Sequence, residues 1–320
     1  MSKKLIGLLL VSGMTFQLCG CASKTSTADT SETQATTEAV VTSEETTEES
    51  SETTETTQEV IPADLVTVKS YNVRGDVVEM IVYEYDESGK RSKITNYGPD
   101  GNVTVSHTFE YDAEDTFIKQ VDYDSNNVIM RSIEFEYDED GNRTKRTIYG
   151  TFGSQLLCED YEYNDSGSLV KESKEDLDDI ISSKVYEYDA DGYLTKITTY
   201  SEDGTVRCWI AYENDADGRV IKESAYASQD SDPVVRTFEY DADGNLIKIS
   251  AYDSEGKIIP QYTAVYDEKG NKIEETTYDS DGILEWTSKL DYDENGNLTM
   301  TTTNNIDGTV TIRTEYSYSE

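Results

Sequence analysis

His and Cys, the residue types that most often serve as catalytic bases, nucleophiles and soft metal ligands, are scarce in this sequence. The 320 residues include a single His, His107, and four Cys. His107 lies in GNVTVSHTFEYD with no second His, Cys or serine elbow near it, so we interpret it as an ordinary strand residue. Cys158 and Cys208 fall in strands that we place four apart, about 19 Å, so we expect free, non-catalytic thiols on opposite faces. The sequence predicts no catalytic centre and no enzyme.

Acidic turns such as YDADGN, YDSDGI and YDEDGN are the other candidates for chemistry. A helix–loop–helix calcium site needs a Glu six residues after its Gly, but Ser250 follows Gly244 and Thr198 follows Gly192 at that distance. We therefore interpret the Asp residues as turn formers and expect no cofactor. Weak Ca²⁺ binding is the alternative, because equivalent Asp residues recur about every 10 Å along a sheet edge.

The composition restricts the partners. The formal net charge is -39, with 24 Tyr against 6 Phe and 2 Trp. Nucleic acid and anionic lipid surfaces carry the same sign of charge, so bulk electrostatics excludes them as partners.

The N-terminus has the pattern of an export signal. Two Lys precede an apolar run that is too short to span a bilayer. The segment LCGC at 18–21 resembles the lipobox of bacterial lipoproteins, which implies a signal peptide over 1–20 and a lipid-modified Cys21. An ordinary secretory signal and cleavage before Cys19 are the alternatives. No residue after Cys21 signals retention at an inner membrane, since Ala22 follows it.

Composition changes twice after the signal. Residues 21–61 are Thr, Ser and Glu with almost no large apolar side chain, which predicts a disordered acidic linker. Residues 62–320 carry the β pattern and form the predicted folded domain.

Two tyrosine series recur along this domain with a step of 26 residues, except for one step of 25. The first series is Tyr85, Tyr111, Tyr137, Tyr163, Tyr188, Asn214, Tyr240, Tyr266, Tyr292 and Tyr318. The second series is Tyr71, Tyr97, Tyr123, Tyr149, Lys174, Tyr200, Tyr226, Tyr252, Tyr278 and Asn304. Such regularity indicates a repeat architecture.

A turn residue follows each series member by four positions. It is Gly in most units, for example Gly244, and otherwise Asn or Asp, as at Asp115, Asn127, Asp178 and Asp230. These types tolerate positive φ best, so we predict a left-handed residue there, in a type I turn closed by a bulge. The Asp directly after a first-series Tyr is predicted to accept hydrogen bonds from the turn backbone. The chain then forms an antiparallel meander of about 18 strands of about eight residues each.

Alternation predicts how side chains share the sheet faces. Phe238 and Tyr240 lie on one face, and even spacings predict that Leu246 and Tyr252 join them while Ile249 faces the other way.

A three-residue loop would also place an aromatic ring opposite a Lys. The predicted pairs are Tyr83–Lys93, Phe109–Lys119, Phe135–Lys145, Tyr161–Lys171, Tyr186–Lys196, Tyr212–Lys222 and Phe238–Lys248. Both partners change together in the last two full units, to Ala264 with Glu274 and to Leu290 with Met300. This joint change indicates contact, which we interpret as a Lys stem over a ring.

The segments YEYDADGYLTKITTY, FEYDADGNLIKISAY and LDYDENGNLTMTTT resemble YD repeats of the Rhs/YD-repeat family, over roughly residues 64–320. The resemblance implies an all-β protein of tandem β-hairpin repeats, which in large members spiral into a hollow shell around a toxin or surface domain. The self-cleaving protease segment and toxin of those members have no counterpart here; SDPVV at 231–235 is not that motif. We expect a long twisted, coiled antiparallel sheet with its aromatic face mostly inside.

These observations predict an exported, lipid-anchored protein on the outer face of the cell membrane, acting without catalysis in adhesion or in binding carbohydrate or another ligand. The candidate ligand-stacking residues are Tyr188, Tyr200, Tyr240, Tyr252, Tyr266 and Tyr278. The expected partners are a polysaccharide or envelope protein and, through the lipid only, the membrane; nucleic acid is not expected. The alternative is a structural or protein-interaction module that associates through open sheet edges, whereas a toxin-related role is not expected.

Overall fold

The computed structural model describes residues 65–176, 182–252 and 255–319. The predicted signal peptide and linker, with the lipid site Cys21, lie outside these residues. The described residues form strands of 7 to 9 residues and no helix. The strands are β1 Leu65–Tyr71, β2 Val77–Tyr85, β3 Arg91–Tyr97, β4 Val103–Tyr111, β5 Phe117–Asp124, β6 Ile129–Tyr137, β7 Arg143–Gly150, β8 Gln155–Tyr163, β9 Leu169–Asp176, β10 Ser182–Tyr188, β11 Leu194–Tyr200, β12 Val206–Asn214, β13 Val220–Tyr226, β14 Val234–Tyr240, β15 Leu246–Tyr252, β16 Ile258–Tyr266, β17 Lys272–Tyr278, β18 Leu284–Tyr292, β19 Leu298–Asn305 and β20 Val310–Tyr318.

No helix in the part of the chain that the structure describes is long and apolar enough to cross a membrane.

The 20 described strands form one antiparallel sheet that closes on itself. Consecutive strands pair throughout, and β1 pairs with β20. The all-β, antiparallel prediction is confirmed, whereas the predicted coiled sheet is wrong because the terminal strands meet and close a barrel. Closure also removes the open edges on which the alternative function depended, since each described strand has a neighbour on both sides.

The register explains how the barrel closes. Tyr83 pairs with Ile94, and Ile94 with His107, which lies two residues before the next equivalent aromatic residue, Phe109. Each pair of strands thus shifts the register by two residues, so the twenty strands accumulate a total shift of about twenty residues. In closed barrels, such a shift accompanies a strand tilt of about 35–45° from the barrel axis.

The turns have the predicted geometry. In the turn after Tyr240, the Gly244 N–H donates to the Asp241 carbonyl, and the Asp241 Oδ1 accepts the N–H groups of Asp243 and Asn245. The fourth residue has positive φ, 90° at Gly244. The predicted left-handed Asp and Asn are confirmed at Asp115 (φ 73°) and Asn127 (φ 61°).

One predicted left-handed residue has a different conformation. Asp230 is not among the positive-φ residues, because the connection from Tyr226 to Val234 is longer than the other turns and contains Pro233. Asp178 lies outside the described residues.

The shortened repeat has its missing residue later than the sequence suggested. Glu175 pairs with Cys158 as Tyr149 pairs with Ser132 one unit earlier. Glu175, and not Lys174, is therefore the structural equivalent of the second series in this unit, and the deletion follows β9.

The barrel has two rims that differ in their connections. At rim 1 the turns lead from even-numbered to odd-numbered strands, and both ends of the barrel, Leu65 and Tyr318, also lie there. At rim 2 the turns lead from odd-numbered to even-numbered strands. The rim 1 turns begin at Asp86, Asp112, Asp138, Asn164, Asp189, Asp215, Asp241, Asp267 and Asp293.

A bulge after each turn decides which face a side chain occupies. Tyr240 pairs with Leu246, but Glu239 pairs with Lys248, so one residue of β15 is passed over. The parity of the strand therefore changes at the turn. Ile249 pairs with Phe238 and shares its face, which we call face 1, whereas Tyr252 lies on the opposite face, face 2. The predicted placements of Ile249 and Tyr252 were thus wrong, and that of Leu246 beside Tyr240 is confirmed.

The same bulge overturns the predicted Lys–aromatic pairs. Lys93 pairs with Glu84 and not with Tyr83, and its partner carboxylate lies on face 2. These Lys residues form ion pairs. The Nζ atom of Lys222 lies 2.7 Å from the opposing Glu213, and that of Lys248 lies 2.7 Å from the opposing Glu239.

The coupled changes in the last two units have the same explanation. Val265 is opposite Glu274, and Asp291 is opposite Met300, so each unit that loses its Lys also changes its Glu. Cations do lie over rings, but at the turn exits: Arg143 is 4.8 Å from the centroid of Tyr161, and Arg219 is 5.1 Å from that of Tyr240.

The seam between β1 and β20 should behave as a hairpin that lacks its turn. Tyr318 pairs with Leu65 at the position where Tyr240 pairs with Leu246. We expect a permuted barrel that joins Tyr318 to Leu65 through Asp-Ala-Asp-Gly-Asn, opened in the loop 227–233, to match or exceed the parent in its free energy of unfolding, because the new loop is short and native-like. Urea unfolding followed by circular dichroism measures this. A permutant with a linker two residues shorter is the control; equal stability of the two permutants would contradict the hairpin-like seam.

Candidate functional site

The first-series tyrosines all donate a hydrogen bond across the sheet at rim 1. The Tyr240 hydroxyl donates to the Val220 carbonyl at 2.8 Å, and Asn214 replaces the hydroxyl by its Nδ2 on the Leu194 carbonyl, also at 2.8 Å. The other donors are Tyr85, Tyr111, Tyr137, Tyr163, Tyr188, Tyr266, Tyr292 and Tyr318. Each bond joins the end of an even-numbered strand to the start of the strand before it.

Three predicted stacking residues belong to this series. The hydroxyls of Tyr188, Tyr240 and Tyr266 each bind a backbone carbonyl, and burial raises the pKa of all three. Their rings pack on face 1, where Tyr188 contacts the cluster of Leu169 and Ile197. The structure thus places these three side chains in the framework of the barrel.

The second-series tyrosines lie on face 2 near rim 2. The predicted residues Tyr200, Tyr252 and Tyr278 belong here, and Tyr252 is 38% exposed. The series also contains Tyr71, Tyr97, Tyr123, Tyr149 and Tyr226. The Tyr71 hydroxyl donates to the Glu315 Oε2 at 3.1 Å. Among the residues that the structure describes, none of the other seven hydroxyls has a hydrogen-bond partner, in contrast to those of the first series.

Their spacing follows from the sheet. Neighbouring members are two strands apart, about 10 Å. One member carries a second ring: Trp209 pairs with Tyr226 across β12 and β13, with ring centroids 4.7 Å apart and planes 12° from parallel. Sequence alternation alone placed Tyr252 on the face of Tyr240, because it does not account for the extra residue of the bulge between them.

The chemistry of this arrangement is suited to binding. An aromatic ring packs against the C–H face of a sugar, and a free phenol hydroxyl both donates and accepts hydrogen bonds. The interval of about 10 Å is close to that of two pyranose rings in an extended polysaccharide. The second series therefore is the candidate site, with Tyr200, Tyr252 and Tyr278 at its centre.

A second polar cluster lies on face 1 and was not foreseen from the sequence. Asp122 is 1% exposed, and its carboxylate lies 2.6 Å from the Nδ1 of His107, 2.7 Å from the Nε2 of Gln120 and 2.5 Å from the Nε of Arg131. Burial by itself raises the pKa of Asp122, but the three hydrogen bonds lower it to about 2. One feature of the sequence could have indicated this cluster: Asp122 is an acid at the strand position where the next repeat unit has the apolar residue Ile148.

Further carboxylates on face 1 are neutralised in the same way. Glu159 accepts hydrogen bonds from Arg146 at 2.8 Å and from the Tyr161 hydroxyl at 3.0 Å. Arg236 binds Glu223 at 2.6 Å. Because each buried carboxylate has a cation or a hydroxyl beside it, we assign this cluster to the stability of the barrel.

Nucleophiles and metal ligands are sparse in the described ranges. No three His, Cys, Asp or Glu side chains there are grouped to hold a metal ion. Cys158 is a buried free thiol, as expected, and pairs with Thr147 on face 2. Cys208 lies on face 1, so the two side chains are on opposite faces, as expected.

Two shallow cavities lie away from the predicted residues. One, of about 330 Å³, is lined by Trp286, Ser288, Thr303 and Asn305 among others. The other, of about 530 Å³, lies between two neighbouring turns of rim 1 that begin at Asp138 and Asn164. Neither includes a second-series tyrosine.

The described residues thus define a class of protein: a closed all-β barrel with polar groups on both faces and a series of unpartnered tyrosines. No protein-family model matches the sequence, and no curated protein matches it. Among solved structures, TcdB2–TccC3 aligns at 14% identity and a TM-score of 0.30 over 78% of this chain, which spans 16% of that chain.

A porin-like protein from Bacteroides uniformis aligns at 12% identity and a TM-score of 0.35, over 80% of this chain and 98% of that one. Another from Bacteroides vulgatus gives 12% and 0.31, over 80% and 99%. TM-scores this low carry no argument about function, which therefore rests on the geometry of the site.

The Asp122 cluster should give the barrel a specific dependence on pH. The folded pKa of Asp122 is about 2, below its usual 3.8, so the folded state binds this proton more weakly than the unfolded state. The resulting stabilisation, roughly 2 kcal/mol, is present above about pH 4 and is lost as the pH falls through 2. Asp122→Asn should lower the free energy of unfolding at pH 7 by about 3 kcal/mol, because it leaves Arg131 unpaired.

Urea unfolding of both proteins between pH 7 and pH 2 tests this. The difference between wild type and variant should shrink by roughly 2 kcal/mol at the acid end. A difference that stays constant across this range would show that Asp122 is not the titrating group.

Proposed function

We propose that this protein is exported, anchored to a membrane through a lipid on Cys21, and binds polysaccharide along the second tyrosine series without catalysing a reaction. One observation carries the proposal. The described chain contains two tyrosine series of similar size. Every first-series tyrosine uses its hydroxyl to bind a backbone carbonyl, whereas in the second series only Tyr71 has a hydrogen-bond partner, Glu315, among the described residues. The free hydroxyls and partly exposed rings of the second series are therefore available for a ligand.

The anchor and the location rest on the sequence. The lipobox-like LCGC precedes an acidic linker of residues 21–61, and Leu65 enters the barrel at rim 1. A linker of 40 residues spans about 35 Å as a coil, and like charges extend it further. This length is enough to carry the barrel clear of a membrane to which its net charge of -39 gives it no attraction.

Calcium has a secondary place in this proposal. The Asp241 carboxylate uses Oδ1 for two backbone N–H groups and Oδ2 for the Asn245 side chain. A cation at such turns therefore competes with the turn itself, so we propose only weak binding at millimolar concentrations. The alternative role through open sheet edges is favoured by no observation, because the described strands are all paired on both sides.

Binding should be visible by affinity electrophoresis in gels that contain uncharged polysaccharides, namely hydroxyethyl cellulose, a mannan and a xylan. Uncharged ligands remove bulk electrostatics from the result. We expect the chain from residue 22 onward to be retarded by at least one of them, and Tyr252→Ala to weaken the dissociation constant about 5- to 10-fold, from the loss of one ring contact of about 1–1.5 kcal/mol. The combined change of Tyr200, Tyr252 and Tyr278 to Ala should abolish retardation.

Tyr240→Phe is the matched control, because it removes a hydroxyl of the first series and keeps the ring. It should lower the free energy of unfolding by about 1 kcal/mol and leave retardation unchanged. Each gel is run with and without millimolar Ca²⁺. Absence of retardation in all gels, or equal retardation of the triple variant, would rule out this site.

Lipid anchoring is tested separately in cells. Cys21→Ser should release the protein from the membrane fraction, because no acyl chain remains to hold it. Cys19→Ser is the control and should stay membrane-bound and incorporate radiolabelled palmitate. Release by Cys19→Ser instead would assign the modification to Cys19, and retention of both variants would favour another mode of attachment.

A further inference from the structure

Exposed apolar side chains are distributed unevenly between the two rims. Among the described residues, all but three of the exposed large apolar side chains lie at rim 2, in its turns, in the first residues of the strands that start there or, for Tyr252, at the end of a strand. The three exceptions, near rim 1, are Ile221, Val265 and Ile273. Those at rim 2 are Val73, Val78, Val128, Ile129, Met130, Phe152, Leu156, Val206, Tyr252, Ile258, Ile283, Ile306, Val310 and Ile312.

The most exposed of these residues have no role in the turns that carry them. Phe152 is 97% exposed, Val73 63% and Ile306 62%. Val73 and Ile306 are each the second residue of their turn. Two other turns of rim 2 have Pro99 and Glu202 at this position. The geometry of these turns therefore does not require apolar residues. A cluster of exposed apolar side chains at one end of a protein typically marks a surface that contacts another molecule.

Rim 2 is the end of the barrel opposite to the start of β1. Leu65, the first residue of β1, lies at rim 1 beside Tyr318. Strands of 7 to 9 residues separate the rims by about 25–30 Å along the strand direction.

Charge decides which molecule fits this rim. Its apolar side chains alternate with exposed acids, and Arg74 and Lys257 are the only bases in its described turns. These acids include Asp76, Asp100, Glu202, Asp203, Asp281 and Asp307. A second copy of the chain carries the same net charge of -39 and an anionic lipid surface has the same sign, so both are repelled at long range.

We propose that rim 2 is a docking surface for a cationic amphipathic polypeptide segment. The apolar side of the segment contacts the exposed side chains around Phe152, Val73 and Ile306, and its Lys and Arg residues pair with the acids between them. This surface adjoins the tyrosine rings of face 2 that carry the polysaccharide proposal, because Tyr252 belongs to both, but Val73, Phe152 and Ile306 are not members of the second series. Its substitutions leave the second series intact, so the failure of one proposal does not decide the other.

The test uses a fluorescent helical peptide of about 18 residues with Leu on one side and Lys on the other, and a scrambled peptide of the same composition. Binding to the chain from residue 22 onward is measured by anisotropy at about 0.15 M salt, where long-range attraction is largely screened. We expect the amphipathic peptide to bind at least 10-fold more tightly than the scrambled one, since only it presents a continuous apolar side.

The decisive variant changes Val73, Phe152 and Ile306 to Ser. It should weaken binding of the amphipathic peptide about 10-fold or more, whereas the matched change of Ile221, Val265 and Ile273 to Ser should alter it less than 2-fold. Thermal melts confirm that both variants fold, as expected for exposed positions.

Three results would overturn the proposal. Equal affinity for the two peptides would reduce the interaction to bulk charge. An equal loss in the two triple variants, or no loss in the variant at rim 2, would remove rim 2 as the site. Concentration-dependent assembly in sedimentation experiments that the rim 2 variant abolishes would make a second copy the occupant in place of a cationic segment.

Discussion

The hydrogen bond from each first-series tyrosine to a carbonyl on the preceding strand is the interaction on which this barrel depends. It joins the strand that leads into one turn of rim 1 to the strand that follows the preceding turn of that rim, as the bond from Tyr240 to Val220 does. The same residue pairs with Leu246 and so fixes where the bulge falls. Because this unit recurs with a constant register shift, the first and last strands meet in the register of every internal hairpin, and the sheet closes.

The bulge beside that bond separates the two chemical surfaces of the protein. One extra residue per turn reverses the parity of the next strand, so the first series lies on face 1 and the second on face 2. Face 1 then buries Tyr, Ile and paired carboxylates, and face 2 displays Lys–Glu pairs and free phenol groups. The same residue type thus supports the framework on face 1 and is displayed on face 2, through different side chains.

The two ends of the barrel differ as well. Rim 1 holds both barrel ends, and its turns begin with Asp or Asn residues whose side chains serve the turn backbone. Rim 2 exposes Phe152 and other apolar side chains, which the turn geometry does not require. The two rims therefore present different side chains to their surroundings.

The sequence by itself determined the local features of this protein. Strand positions, the left-handed residue at Gly244 and the hydrogen bonds of Asp241 follow from backbone preferences that act within a few residues. Both tyrosine series are also visible in the sequence, and three of the six predicted stacking residues, Tyr200, Tyr252 and Tyr278, belong to the candidate site. The sequence did not separate them from the other three, Tyr188, Tyr240 and Tyr266.

Only the tertiary structure decided the rest, because the remaining features depend on atoms far apart in the chain. Alternation predicts faces only while no residue is inserted, so the bulge misplaced Tyr252 and turned the expected contact of Lys93 with Tyr83 into a pair with Glu84. Closure depends on the sum of small register shifts over twenty strands, which no single unit displays. Whether a tyrosine hydroxyl finds a carbonyl depends in turn on its face and rim, and that placement separates the framework series from the series left free for a ligand.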